Sequence, residues 1–293
     1  MDLNNDGIED VITGSYTGEL YIFRGSEGGL SNRDVIRDKD GKIIEAGHSV
    51  TVEAHDLDGD GDLDLLIGQR SDPVFWYRNV GTEDAAAWSP EKIVLKDAAR
   101  EIIKGSNAHF ADWDADGVRD LIVGSEYGAV TWYRNTGDNA RPTFAVGVPL
   151  VHERASSDDG EGPVTRPGSR VKSHVVDWNG DGRLDLLVGD VTWEWRYKTP
   201  LTAEESAELE RLMPAVKAVR AKADAMGKAR TQGKRAKTWT KQDQEALLAF
   251  LDGEYARVMA TIEKFEKRKT ADTHGWVWLY ERLPNPTTRP IVR

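Results

Sequence analysis

The chain has 293 residues, of which 50 are acidic and 39 basic, for a formal net charge of −11. That length buries a real core as one large or two ordinary domains, and the acidic balance argues against a nucleic-acid partner reached through bulk electrostatics. Cysteine is absent, which removes disulfides, thiolate metal sites and a cysteine nucleophile; no apolar run reaches the ~18 residues of a membrane helix.

The first stretch to read is "DLNNDGIEDVITG" at 2–14. Met1 stands directly before it with no basic-then-apolar export signal. The expectation is therefore a piece of a longer protein whose natural N-terminus, with any signal peptide, lies upstream. The stretch recurs as "DLDGDGDLDLLIG" at 56–68, "DWDADGVRDLIVG" at 112–124 and "DWNGDGRLDLLVG" at 177–189. Four copies of D-x-[DN]-x-D-G-x-x-D-Φ-Φ-x-G, with first aspartates at 2, 56, 112 and 177, define a repeat.

Within each repeat an apolar run too short for a helix is followed by a turn and an aromatic, β-branched run: "ELYIFRG", "PVFWYRN" and "AVTWYRN". Farther on, "RDVIRD", "EKIVLK" and "TFAVGVPL" supply another strand apiece, and "HSVTVEAHD", "NAHFAD" and "KSHVVD" lead into the next aspartate cluster. The reading is a four-stranded antiparallel unit with the aspartate loop between its first and second strands. Runs such as "DLLIG" and "DLIVG" hardly alternate, which predicts sheets covered on both faces. The expected fold is all-β: a β-propeller of about four such blades, the first lacking its inner strand.

The fourth copy runs through "DVTWEWRYKTP" into helical sequence, while "GWVWLYERLP" at 275–284 and "TTRPIVR" at 287–293 look like its two missing strands. The expected organisation is blades over 1–201 and 273–293, with a helical coiled-coil hairpin over 202–272 inserted in the fourth. Leu209, Leu212, Val216, Val219, Ala223 and Met226 form one apolar stripe, and Leu247, Leu251, Val258, Ile262 and Phe265 a second. Thr202 with Glu205 has capping-box spacing and Thr240 is a second N-cap candidate. The connection is expected near Gly227 to Lys237, and Pro214 should kink or delay the first helix.

Carboxylates forced together in a tight turn repel one another, and a hard divalent cation such as Ca²⁺, with six to eight oxygen ligands, removes that cost. The expected ligands are Asp2, Asn4, Asp6 and Asp10; Asp56, Asp58, Asp60 and Asp64; Asp112, Asp114, Asp116 and Asp120; and Asp177, Asn179, Asp181 and Asp185. The seventh position would contribute a backbone carbonyl from Ile8, Asp62, Val118 or Arg183, and the glycine before it permits the turn. Up to four structural Ca²⁺ are expected, and since each adds two charges they would bring −11 to −3. An EF-hand needs a glutamate at position 12; here that position is Thr13, Ile67, Val123 or Val188.

These motifs resemble FG-GAP or VCBS-type repeats, found in integrin α-subunit propellers and many bacterial extracellular proteins, and they span nearly everything outside residues 202–272. The resemblance implies a calcium-binding β-propeller that is extracellular, on the cell surface or periplasmic. A large helical insertion in a blade hairpin departs from that family's usual pattern.

Other chemistry is sparse. No Ser-His-Asp grouping or glycine-rich phosphate loop is recognisable. His109 and His174 each lie three residues before their first aspartate, where the second copy has Glu53; they read as packing residues, with an axial ligand site as the sharper alternative. Trp76, Trp132, Trp276 and Trp278 fall at strand positions, whereas Trp88, Trp193 and Trp195 sit off the pattern and are candidates for an exposed platform. The tip "GKARTQGKRAKT" carries Lys228, Arg230, Lys234, Arg235 and Lys237 and is a solvated loop or an anionic docking point. The leading expectation is a non-catalytic adhesion or binding module for a glycan or extracellular protein. The alternatives are a carbohydrate-active lyase or hydrolase and an assembly module that oligomerises through its open edge or its hairpin.

Overall fold

The computed structural model describes residues 1–70, 72–82, 85–153, 164–235 and 238–283. The chain divides into two compact units, a β unit (1–153, 164–192 and 275–283 of the described residues) and a helical unit (within 193–274).

The β unit holds four antiparallel sheets. The first contains β1 (Val11–Gly14), β2 (Leu20–Phe23) and β3 (Asp34–Val35). In the second, β4 (Thr51–His55), β5 (Asp64–Gly68), β6 (Phe75–Asn79) and β7 (Trp88–Val94) pair in chain order. The third repeats that order with β8 (Asn107–Ala111), β9 (Asp120–Gly124), β10 (Val130–Tyr133) and β11 (Val148–Val151). The fourth has β12 (Ser169–Val176), β13 (Asp185–Tyr197) and β14 (Lys269–Tyr280), the last two running on into the helical unit. Two sheets thus have the expected four strands and two have three; the segment expected to add a strand at 287–293 lies outside the described residues. Each complete aspartate loop joins two paired strand ends: His55 faces Asp64, Ala111 faces Asp120 and Val176 faces Asp185.

The unbroken apolar runs have a physical reason. A strand points successive side chains to opposite faces, and β5 and β9 each feed two different cores. Leu65 and Ile67 pack with Leu20, Ile22 and Phe75 between the first and second sheets, while Leu66 turns to Val74, Ala108 and Phe110 between the second and third. In β9, Leu121 and Val123 join that second core and Ile122 joins the third, with Val171, Val175 and Leu186.

The glycine ending each motif explains how closely the sheets approach. A Cβ at Gly124 would lie 2.8 Å from the Val171 carbonyl of the next sheet, and one at Gly68 3.0 Å from the Ala108 nitrogen. At Gly14 it would overlap the Val50 carbonyl. At Gly189 the nearest atom is the Lys172 carbonyl of its own sheet, 3.7 Å away.

In the helical unit, α1 (Ala203–Arg235) is followed by α2 (Lys241–Phe250), a π-helical turn (Leu251–Tyr255) and α3 (Ala256–Glu266). Both N-caps are the expected threonines. Thr202 N–H donates to Glu205 Oε2 (2.9 Å) and Glu205 N–H to Thr202 Oγ1 (3.2 Å); Thr240 and Asp243 repeat the box at 2.8 and 3.1 Å. Val216, Ile262 and Phe265 form the core with Leu209, Leu212, Met213 and Val258 around them. The helix starts at Ala203 and continues through Pro214, so the proline does not delay it. One expectation is corrected: the connection does not open at Gly227, because the helix passes it to end at Arg235. Gly227 and Gly233 each cost about 1 kcal/mol in a helix, too little to stop a long helix whose other residues there include alanine, lysine, arginine and glutamine. Lys228 and Arg230 are therefore exposed helical residues rather than loop residues, while the side chains of Lys234, Arg235 and Lys237 lie outside the described part.

Candidate metal centres

The four loops share one hydrogen-bond scheme, built from the aspartates outward. The position-1 carboxylate accepts from backbone N–H groups inside its own turn: Gly7 to Asp2 at 2.8 Å, Gly59 to Asp56 at 2.7 Å, Gly117 to Asp112 at 2.9 Å, and Gly180 to Asp177 at 2.8 Å. Position 5 accepts the N–H of position 7, so Ile8, Asp62, Val118 and Arg183 donate to Asp6, Asp60, Asp116 and Asp181 at 2.9, 3.0, 2.9 and 3.0 Å. These are Asx turns, which short acidic side chains favour. The position-6 glycines have φ of +84°, +97°, +88° and +82°, a region open to glycine at little cost. Position 4 is left-handed too, at Asn5, Gly59, Ala115 and Gly180, a requirement the repeat pattern leaves unmarked.

Position 9 plays a double part. Asp10, Asp64, Asp120 and Asp185 are buried. One oxygen of each accepts a backbone N–H from the sheet's next strand or from two residues past its end: Gly25 (2.8 Å), Asn79 (2.6 Å), Asn135 (2.7 Å) and Arg282 (2.7 Å). Leu3, Leu57 and Trp178 donate to the other oxygen of Asp10, Asp64 and Asp185 at 3.2, 3.0 and 3.1 Å. The carboxylate therefore ties loop to sheet, while each oxygen retains a second lone pair.

Position 3 carries oxygens that no donor meets. Asn4 Oδ1, Asp58 Oδ1 and Asp114 Oδ1 are buried and have no hydrogen-bond donor, a costly state for a polar atom. In the second and third loops the carboxylates of positions 1, 3 and 5 (Asp56, Asp58 and Asp60; Asp112, Asp114 and Asp116) place oxygens within 4.8 Å of one another. In the first and fourth loops position 3 is an amide: Asn4 donates to Asp6 Oδ2 at 2.8 Å, and Asn179 Oδ1 accepts from Asp181 N–H at 2.9 Å.

The acids respond to burial and to one another as electrostatics requires. Burial and the neighbouring Asp60 charge push the Asp58 carboxyl up. Burial raises Asp64 to about 7 against the Asn79 and Leu57 N–H groups, with the Asp58 and Asp60 charges adding to it. Burial also raises Asp120. Asp2 is lowered, because N–H donors led by Gly7 and Asp6 outweigh its burial. Arginines offset part of the negative charge: Arg78 reaches Asp58 at 2.8 Å, Arg134 reaches Asp114 at 2.6 Å and Asp116 at 2.8 Å, Arg24 reaches Asp10 at 2.8 Å, and Arg183 pairs with Asp181. The donor set is all oxygen, the chemistry of a hard cation such as Ca²⁺.

Three overlapping stretches of the chain, 2–67, 56–123 and 112–188, match the FG-GAP-like repeat. The chain belongs to the FG-GAP-like repeat family. Each FG-GAP-like match opens on one aspartate loop and ends in the strand that directly follows the next loop. Among curated proteins the chain is similar to integrin alpha-4 of Xenopus laevis, with 29% identity over 198 residues. That similarity covers 61% of this chain and 18% of the integrin, so the chain spans under a fifth of that relative's length.

A second polar cluster lies beside the loops. Glu53, His109 and His174, all three residues before a first aspartate, converge although they sit on three different sheets. Glu53 Oε1 lies 2.6 Å from His109 Nδ1 and its Oε2 3.0 Å from His55 Nε2; the His109 and His174 rings are 4.8 Å apart. Burial opposes ionisation of Glu53, but the hydrogen bonds and charges of His109 and His55 carry its pKa down to about 2. Burial, then the His109 charge, lowers His174. The tryptophan expectations divide: Trp88 is buried at 5% exposure in the first core, against its reading as a platform, because it pairs with Asn79 inside the sheet. Trp195 is 49% exposed, Trp193 is also exposed, and Trp276 is exposed where packing was expected.

Proposed function

We propose that the chain is a calcium-stabilised β-propeller module of an extracellular, adhesion-type protein, binding a macromolecular partner without catalysing a reaction. The observation that carries this reading is the buried, donorless oxygen at position 3 of three loops, flanked in two of them by converging carboxylates. Ca²⁺ would be held by positions 1, 3, 5 and 9, with the position-7 carbonyls of Ile8, Asp62, Val118 and Arg183 completing the set. The metal is structural: it relieves repulsion at the sheet edge and stiffens the loops. Sites binding at about 10⁻⁴ M would fill in millimolar extracellular Ca²⁺ and stay empty at submicromolar cytosolic levels, which supports an extracellular placement together with the integrin similarity.

The successive cores support radial blades, because each second strand serves the sheet before it and the sheet after it. The fourth sheet breaks this rule on one face. Leu20, Val74 and Val130, which begin the third strands or directly precede them, are 0% exposed, whereas the matching Val277 is 75% exposed. A ring completed by further sheets, in this polypeptide or another, would cover Leu187, Gly189 and Val277.

The test is a thermal melt of EDTA-stripped protein titrated with CaCl₂, with MgCl₂ as control. A rise in Tm specific to Ca²⁺ supports the reading; an unchanged Tm overturns it.

A further inference from the structure

We propose that the helical unit carries a saccharide-binding site, independent of the aspartate loops and of the propeller reading. The site is a pocket of about 350 Å³, the lower end of the size range of small-molecule sites. Its walls come from five different elements. Trp195 of β13 stands on one side with its ring half exposed, and Tyr255 closes the π-helical turn on another. Arg220 and Asp224 project from one face of α1, four residues apart, and Glu266 and Lys269 flank the end of α3.

Two features of the chain make this space. Ala223 continues the apolar stripe of α1 one turn beyond the buried Val219, and its small side chain lines the pocket rather than filling it. The π-helical turn inserts an extra residue into the helix, a feature found disproportionately at functional sites. It turns Tyr255 toward the pocket, with Phe250 edge-on against its ring at a centroid distance of 6.1 Å.

The lining decides the ligand class. Among the described lining residues two carboxylates and two cations balance, which disfavours a phosphate or a polyamine. Those residues include no histidine, and the chain has no cysteine, so the donor set does not suit a soft or borderline metal. An aromatic face has negative quadrupolar character and attracts the polarised C–H groups of a sugar ring. Carboxylate, guanidinium and ammonium groups around its edge can pair with vicinal hydroxyls, which both donate and accept. Lys269 is held at 2.9 Å from Glu266 Oε1 and 5.6 Å from the centre of the Tyr197 ring, so the polar rim is positioned before any ligand arrives. A neutral pyranose of one or two units fits both volume and chemistry.

The experiment uses the full chain and a panel of neutral probes: methyl glucoside, mannoside and galactoside and their trisaccharides, titrated by isothermal calorimetry and tryptophan fluorescence. At least one probe is expected to bind saturably below about 10 mM. Trp195→Ala should weaken it by about tenfold or more. Ala223→Leu fills the space with a strong helix former and should abolish binding while helical circular dichroism is retained, which separates occlusion from unfolding. Binding should persist in EDTA, so failure of the calcium reading leaves this proposal standing. No binding by any probe overturns it, as does equal affinity in both variants. Binding only of spermidine, inorganic phosphate or free amino acids, run as separate arms, also overturns it.

Discussion

Exchanging Asp114 for alanine removes the donorless oxygen of the third loop and one of the two carboxylates that hold Arg134. In EDTA the consequences nearly cancel. The Arg134 ion pair is about half exposed on the arginine side and such pairs contribute ~0.2–1 kcal/mol, while deleting one of three converging acids relieves repulsion of similar size. In 1 mM CaCl₂ the balance changes. A site binding at about 10⁻⁴ M stabilises the folded state by RT ln(1 + 10), about 1.4 kcal/mol, and the variant forfeits that amount. The quantity to measure is the double difference: the Asp114→Ala effect on unfolding free energy in Ca²⁺ minus the same effect in EDTA, from urea titrations followed by tryptophan fluorescence. It should be about 1.4 kcal/mol, whereas Asp138→Ala, an exposed acid outside the loops, should give about zero. Equal costs of Asp114→Ala with and without Ca²⁺ would refute the argument that this oxygen exists to meet a cation.

The seats between sheets predict a contrast between two chemically identical substitutions. Gly124→Ala brings a methyl to 2.8 Å from the Val171 carbonyl and should cost about 1–3 kcal/mol by overpacking, while Gly189→Ala, with its nearest neighbour at 3.7 Å, should stay within about 0.5 kcal/mol; equal thermal shifts would sink the repeat-seat interpretation. Glu53 predicts an acid-sensitive term. Its folded pKa of about 2 lies below the ordinary 4.5, so its stabilisation, about 3 kcal/mol at most, is fully present above about pH 5 and is lost as pH falls through about 2. The stability gap between the native protein and Glu53→Gln should roughly halve between about pH 6 and about pH 3, and a gap that widens on acidification contradicts the assigned partners.

Much of the β unit was legible because its signal repeats. Aspartate loop, apolar run and aromatic strand recur together, and the period places each loop between two paired strands. Local contacts made through side chains were not legible. Arg24, Arg78 and Arg134 follow their position-9 aspartates by the same interval, yet nothing short of the folded hairpin reveals that they swing onto the acids of the loop. Trp88 looked aperiodic because β7 carries a register shift between its pairings with Tyr77 and Asn79, and the bulge turns the ring into the core. The convergence of Glu53, His109 and His174 had a visible clue in their shared offset from the loops. What the sequence could not supply is that three sheets approach closely enough for residues 56 and 65 positions apart to touch.

The position-9 aspartate also explains how a sheet tolerates a helical unit in the middle of a hairpin. In the first three repeats its carboxylate accepts an N–H fifteen residues downstream; in the fourth, Asp185 accepts that of Arg282, ninety-seven residues away, at the same 2.7 Å as Asp120 with Asn135. Lengthening a loop from a few residues to about eighty adds only a few kcal/mol of closure entropy, since the cost grows logarithmically. The helical unit lowers even that by folding on its own core and bringing its two ends together, with Lys198 N–H donating to the Arg268 carbonyl at 3.0 Å and Arg268 pairing with Glu205 at 2.5 Å. A buried carboxylate that selects its strand by a charge-assisted hydrogen bond, rather than by the length of the turn, restores the register after the insertion. The aspartate cluster then does more than gather charge: one of its members sets the sheet, and the others present oxygens at its edge.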